Sequence, residues 1–313
     1  MSTLIAIRRP LVGLVFLSLV TASGAPTPAK DREDLEKPVY KVGRSDTGTV
    51  APGIDRPEAD SQVSNVPRDQ SAANPMDQAL EAARVARDYI RESIQDYTCM
   101  VVKQETVKGD LLPQEFFEAK IRHRVIEDGK TVVPFSVYLK FFRPKSIKGR
   151  EVLYIEGRND GNARVKEAGI KGRLIGTVSI KPDGMLAMQS NRYPITEIGI
   201  ENLCARLVAQ GPDLIDRNTC QVKFIKGARL QKRSCTCFQL THPHPVANVQ
   251  SSLVRVFHDD EYQFPVRYAA YDFPCDGAEH GEVLESYTYL DMKLNVGLTD
   301  ADFDEHNPNY HFH

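Results

Sequence analysis

The sequence predicts an α+β fold, a large curled antiparallel sheet with helices packed in its concave face. Three observations lead there. Apolar residues recur at three- and four-residue steps over 74–97 and 194–211, but at every second residue in most other segments after 115. Strand-like runs follow one another with only Gly-, Pro- and Asp-bearing turns between them, which suits antiparallel pairing and leaves little room for helical crossovers. A sheet of about eight to eleven such strands twists and curls rather than staying flat, so helices on one face can leave a hollow.

The amino terminus reads as a leader. Arg8 and Arg9 precede "LVGLVFLSLV", and the small residues "TASGA" follow. That apolar run is too short for a bilayer core, which takes about 20 residues, so residues 1–24 are expected to be a secretory signal peptide cut near Gly24 and Ala25. No cysteine follows the apolar run, which speaks against a lipoprotein anchor. Residues 25–73 carry Pro26, Pro28, Pro38, Pro52, Pro57 and Pro67 among Gly, Ser, Asp and Lys, without apolar period. Such a stretch cannot bury enough surface to offset its ordering entropy, and is read as a disordered linker. The folded domain is then 74–313, in an exported protein of the periplasm or cell envelope.

Within the domain, "NPMDQALEAARVARDYIRESIQDY" predicts an amphipathic helix. Asn74 would cap it, Pro75 suits the first turn, and Met76, Leu80, Ala83, Ala86, Ile90 and Ile94 form its stripe. In "EFFEAKIRHRVI" the period becomes two, with Phe117, Ala119, Ile121, His123 and Val125 on one side and Glu118, Lys120, Arg122 and Arg124 on the other. "FSVYLKFF", "REVLYIEG", "TVSIKPDG", "QVKFIKG", "CTCFQLTH" and "VLESYTYLDMKL" read as further strands, and "SLVRVFHDDEYQFPVRYAAYDF" as a hairpin with Pro265 opening its second strand. "PITEIGIENLCARLVAQG" interrupts them as a second helix. Its expected cap is Thr196, its stripe Ile200, Leu203, Leu207 and Val208, and its stop Gly211-Pro212.

Net charge −2 argues against nucleic acid as a partner. Of the six cysteines, Cys235 and Cys237 share "RSCTCFQLTHPHP" with His242 and His244. The C-x-C and H-P-H-P spacings fit a zinc site poorly, because structural zinc ligands usually span a C-x2–4-C turn. No metal and no cofactor are therefore expected, and in an oxidising compartment a disulfide from Cys220 to Cys235 or Cys237 is the better use of the thiols. The three histidines of "HNPNYHFH" are read as decoration on a terminal aromatic strand docking on the sheet, and His123 as a hydrogen-bonded core residue. Nucleotide-binding and hydrolase motifs are absent from the sequence, which lowers the odds of an enzyme without excluding one.

Several long blocks, "DYTCMVVKQE", "FSVYLKFFRPKSIKGREVLYIEGRNDG", "NRYPITEIGIENL", "FPVRYAAYDFP" and "YTYLDMKLNVGLTDADFDEHNPNYHF", resemble one bacterial envelope family, the domain of unknown function 1571. The resemblance runs over nearly all of 78–312 and implies no biochemical activity. The element order, a helix and then meandering strands, more loosely resembles the LolA-like fold, in which a half-barrel sheet wraps helices around a cavity for lipoprotein acyl chains. Carriers of that kind use a strand arginine to hold a lid closed, a role for which Arg122 or Arg124 is the candidate. Envelope sensors that restrain anti-sigma proteolysis share the fold, so the fold leaves the function open.

The function expected is binding, as carrier or sensor, of a lipid, an acyl chain or a lipoprotein in the sheet cavity of a monomer. Phe117, Ile121, Val137, Leu139, Ile200, Leu203 and Leu207 are its candidate lining. The alternative is an interaction module for an envelope protein or polymer with no ligand cavity. Its candidate contacts are a sheet edge or the basic turn "FRPKSIKGR", with Arg143, Lys145, Lys148 and Arg150. A hydrolase is the third reading.

Overall fold

The computed structural model describes residues 40–41, 75–210, 219–245, 249–274 and 280–312. The signal peptide and the linker lie outside them, apart from Tyr40–Lys41, a two-residue strand (β1) inside the expected linker. Helix α1 (Pro75–Ser93) runs into β2 (Asp96–Val107). The short β3 (Asp110–Leu111) follows, then β4 (Glu115–Arg122), the side hairpin of β5 (Val125–Glu127) and β6 (Lys130–Val133), and β7 (Ser136–Arg143). Next come β8 (Glu151–Ile155), β9 (Ala163–Lys166), helix α2 (Gly169–Ile175), β10 (Thr177–Ile180), and helices α3 (Met185–Met188) and α4 (Ile200–Gln210). The chain ends through β11 (Gln221–Leu230), β12 (Arg233–Thr241), β13 (Leu253–Asp259), β14 (Pro265–Tyr271) and β15 (Val283–Leu294).

One 13-stranded antiparallel sheet results, in the order β1-β11-β12-β13-β14-β15-β2-β4-β7-β8-β9-β10, with β3 attached to β2. It is two meanders. From β2 the chain steps outward to β10, α4 then carries it toward the opposite edge, and β11 to β15 step back until β15 pairs with β2. The sheet does not close, since β1 and β10 are its ends.

The alternation of side chains gives the sheet two faces with different covers. On one, Met76 and Leu80 of α1 pack with Leu240, against Val222 and Val254. Each such aliphatic side chain taken from water contributes about 1.5–3 kcal/mol, which fastens the helix to the β11–β13 half. On the other face of β7 and β8, the tail after β15 lays Phe303, Tyr310 and Phe312 over Tyr138 and Leu153. The Tyr138 and Tyr310 rings stack with centroids 3.9 Å apart. Ion pairs fix the start of the tail: Lys120 to Asp302 and Arg122 to Asp300, each at 2.8 Å. The fully buried Glu151 accepts the backbone N–H of His311 at 2.8 Å, with the His311 ring nitrogen Nδ1 also 2.8 Å away.

Several expectations need correction. The sheet has more strands than expected because β2, β3, β9 and β1 were not read from the pattern. The terminal aromatic segment docks on the sheet as expected but forms no strand. The strand expected through Val125 stops at Arg122. His123 is drawn inward, its N–H donating to the Gln95 carbonyl and its Nδ1 facing the Ile94 carbonyl, both at 2.8 Å, and the chain beyond it leaves the sheet. Thr196 is not a helix cap. It sits in a 3-10 turn, and α4 starts four residues later. The expected cap Asn74 and stop Gly211-Pro212 lie outside the described residues.

Candidate functional site

Where the two meanders meet, α4 and the chain before it stand off the sheet and enclose a cavity of about 430 Å³. Its floor is the α4-side face of β2, β4, β7, β8 and β15; its roof comes from residues 180–198 and from Leu203 and Arg206. The position of α4 is set at its first turn. Gly199 takes a φ of +109°, open to glycine but strained for other residues, and the Tyr97 hydroxyl accepts the Ile200 N–H at 3.0 Å. That hydroxyl replaces the side-chain cap that Thr196 does not provide.

One wall is apolar, built from Val101, Phe117, Leu139, Phe141 and Val152. The end beside β15 is polar and aromatic. The Tyr287 hydroxyl lies 2.6 Å from Glu105 and 3.1 Å from Glu285, and the Tyr193 hydroxyl 3.3 Å from Glu285. Lys103 Nζ sits between Glu115 at 3.0 Å, Glu105 at 3.5 Å and the Asn191 amide oxygen at 2.5 Å. Burial pushes the Glu285 carboxyl above its ordinary range, with Arg206 and then Arg192 working against that. Burial likewise raises the hydroxyls of Tyr193, Tyr287 and Tyr289, which stay protonated donors. Arg206 lies 3.7 Å above the Tyr193 ring.

Of the expected lining, Phe117, Leu139 and Leu203 face the cavity. Ile121, Val137 and Ile200 are fully buried in the core beside it, the first of them within 4 Å of where a Gly199 side chain would start. Leu207 turns toward α1 into a smaller hollow with Leu80 and Phe238. The structure divides the basic turn. Lys145 and Lys148 are exposed, Arg150 pairs with Glu167 at 2.7 Å on the cavity wall, and Arg143 lies over the Phe116 ring.

The disulfide expectation is wrong among the described residues. Cys235 and Cys237 are buried free thiols. Gln221 pairs with Thr241, so Cys220 lies about five residues, or roughly 16 Å, along the strands from Cys237. A disulfide needs the two Cα atoms within about 7 Å. Cys275 lies outside the described residues. Among the described residues no group of three or more His, Cys, Asp or Glu could hold a metal ion. Arg122 and Arg124 do not enter the cavity either; they bind Asp300 and Glu156.

The sequence reading missed Arg206, Tyr193, Tyr287, Lys103 and Asn191. One signal was present: Arg206 is three residues after Leu203 and so falls on the stripe that should be apolar.

The matching family model covers residues 94–312 and is described as a protein of unknown function (DUF1571). The chain belongs to that family. No curated protein matches it. Solved structures with a similar arrangement include a LolA superfamily protein from Nitrosomonas europaea, at 12% identity over 72% of this chain and 97% of that one, TM-score 0.29. An outer membrane lipoprotein-sorting protein domain from Vibrio parahaemolyticus has 11% identity over 74% and 97%, TM-score 0.34. The MucA/MucB complex of Pseudomonas aeruginosa has 13% identity over 74% of this chain and 61% of that chain, TM-score 0.38. Among the described residues no helix of the DUF1571 chain is long and apolar enough to cross a membrane.

Proposed function

We propose that this DUF1571 protein is an exported envelope protein that holds an apolar or amphipathic ligand, such as a lipid, an acyl chain or a lipoprotein, in the cavity under α4. It acts as carrier or sensor, by binding rather than catalysis, with α4 seated in the hollow of a curled sheet. The observation that carries the reading is the cavity itself. Its volume of about 430 Å³ falls in the usual 300–1,000 Å³ range for ligand sites, and one wall is built from Val101, Phe117, Leu139, Phe141 and Val152. Each methylene buried there gains about 0.8 kcal/mol, so a chain of modest length binds without catalytic groups.

Native mass spectrometry of the mature protein purified from its own envelope, with solvent extraction, tests this. A co-purifying lipid or lipopeptide released on denaturation is expected. An unliganded mass with no uptake of added acyl ligands would refute it.

A second reading, an interaction module, has its own support in exposed apolar side chains of α2 and α3. Leu174 on α2 and Met185 on α3 are 81% and 86% exposed, with Ile170 and Leu186 similarly bare. Large apolar side chains left exposed can mark contact surfaces. If the cavity stays empty under every condition, a surface on α2 or α3 becomes the better assignment.

A further inference from the structure

We propose that the cavity's ligand is an anionic amphiphile, a single oxyanion on an acyl chain, and that Arg206 holds the oxyanion. This rests on the cavity-binding reading above. The argument is a count of the cations in the site. Lys103 is matched by Glu115 and Glu105. Arg150 pairs with Glu167, although its Nε lacks an acceptor, and Arg192, outside the lining, donates to the Thr106 carbonyl at 2.9 Å. Arg206 has none of these. Among the described residues it makes no hydrogen bond or ion pair, its Nη1 is sealed from solvent without an acceptor, and only the faces of Tyr193 and Tyr287 approach it, at 3.7 and 5.9 Å.

A buried donor left unsatisfied costs free energy, and native proteins hold few of them. The carboxylate that acts on it electrostatically, Glu285, does not relieve it. Glu285 is already bound by the hydroxyls of Tyr193 and Tyr287, and it forms no ion pair with Arg206. Burial also holds the Glu285 carboxyl toward its neutral form, which leaves the guanidinium short of a full counter-charge.

The geometry then selects the ligand. Arg206 lines the cavity at the tyrosine end, while Phe117, Leu139 and Val152 supply an apolar wall in the same enclosure. A guanidinium fork matches carboxylate and phosphate oxygens in a paired geometry, and such charge-assisted bonds are about twice as strong as neutral ones. An oxyanion would sit at Arg206 with its chain along the apolar wall. A primary ammonium beside Arg206 would be repelled by it, and would have to turn instead to the lining carboxylates Glu105, Glu115, Glu167 and Glu197.

Titration calorimetry on the full mature chain, with dodecanoate, dodecyl phosphate, dodecanol, dodecylammonium and inorganic phosphate as probes, tests the assignment. Dodecanoate or dodecyl phosphate should bind at least about tenfold tighter than dodecanol. Arg206→Gln should weaken the anionic probes about ten- to hundredfold and leave dodecanol unchanged. Arg206→Lys should fall between, because it keeps the charge and loses the fork. The preferred head, carboxylate or phosphate, names the ligand source.

Equal binding of dodecanol and the anions, or equal loss for both in Arg206→Gln, would overturn this inference and leave the cavity reading standing. Tight inorganic phosphate without chain preference would overturn it too, in favour of a free anion site. No binding of any probe would sink both. A matching unfolding midpoint for Arg206→Lys and the parent separates a local loss from a folding defect.

Discussion

Helix α4 brings Leu203 and Arg206 over the cavity, and its first turn depends on two residues that are close in space and distant in sequence. The Tyr97 hydroxyl is the acceptor for the buried Ile200 N–H at 3.0 Å. Tyr97→Phe deletes the acceptor and little else, leaving a buried donor unpaired at a cost of about 1–3 kcal/mol. Gly199→Ala adds two penalties. A φ of +109° is strained for alanine, about 1–3 kcal/mol, and its Cβ would lie 2.8 Å from the same hydroxyl. The two changes therefore share one atom and should not add. With the hydroxyl gone the close contact is relieved while the backbone strain stays, so the double variant should be more stable than the sum by about 1 kcal/mol. In a domain of this size each kcal/mol moves the thermal midpoint by about 2–4 °C. Urea unfolding followed by circular dichroism, run on the parent, both single variants and the double variant, reads the cycle. A Tyr97→Phe protein within about 0.3 kcal/mol of the parent, or strict additivity, would refute this account of how α4 is positioned.

Other consequences can be checked in the same preparation. Burial depresses the rings of His123 and His258, with nearby carboxylates only partly opposing it, so both are neutral in the fold. An unfolded histidine titrates near pH ~6.5; stability is therefore complete above that value and falls as pH drops from it through the two depressed values, and His123→Gln should flatten the loss seen between about pH 7.5 and 5 in urea midpoints. Phe303→Ala removes a 1%-exposed ring from the tail's cover and should cost about 3–5 kcal/mol. Equal unfolding midpoints for that variant and the parent would show that the tail is not part of the core. Burial pushes Cys235 up to about 12 and Cys237 to about 11, so neither should be alkylated by iodoacetamide at neutral pH unless urea is present; peptide mapping that finds native-state labelling or a disulfide at either would contradict the packing.

The sheet and the two long helices were legible because their periods are long and clean. "VLESYTYLDMKL" is β15 to the residue, and the stripe from Met76 to Ile90 is the buried face of α1. Where reading failed, a local pattern was overruled by a distant partner. In β2, Lys103 and Glu105 interrupt the alternation with charges that make sense only beside Glu115 and Tyr287. Arg122 looked like a solvent-facing charge, but the tail returns over it with Asp300 and Phe303. The cysteine prediction failed on register, which two-residue spacing cannot supply: strand pairing alone fixes where Cys220 lies relative to Cys237. In the candidate lining, hydrophobicity separated inside from outside, but it did not separate Ile121, sealed in the core, from Phe117, which borders open space.

The same topology explains why the cavity forms at this place. β2 starts one meander and β15 ends the other, so the seam between them joins residues about as far apart in sequence as the domain allows. Apart from β1 at the edge beside β11, the other neighbouring strands are consecutive or nearly so, and the connections between them set their registers. At the seam the chain must instead travel through 180–198 and α4, which rise over the sheet and arrive with their own polar groups, Tyr193 and Arg206. A crossing segment that packed flat would have pressed those groups onto Tyr287 and onto Glu285, whose carboxylate already accepts from two tyrosine hydroxyls. Standing off the sheet keeps the arginine in an enclosure large enough for a ligand that supplies an acceptor. The unpaired cation and the empty volume are thus two results of a single crossing, and a substitution that collapses either should change the other.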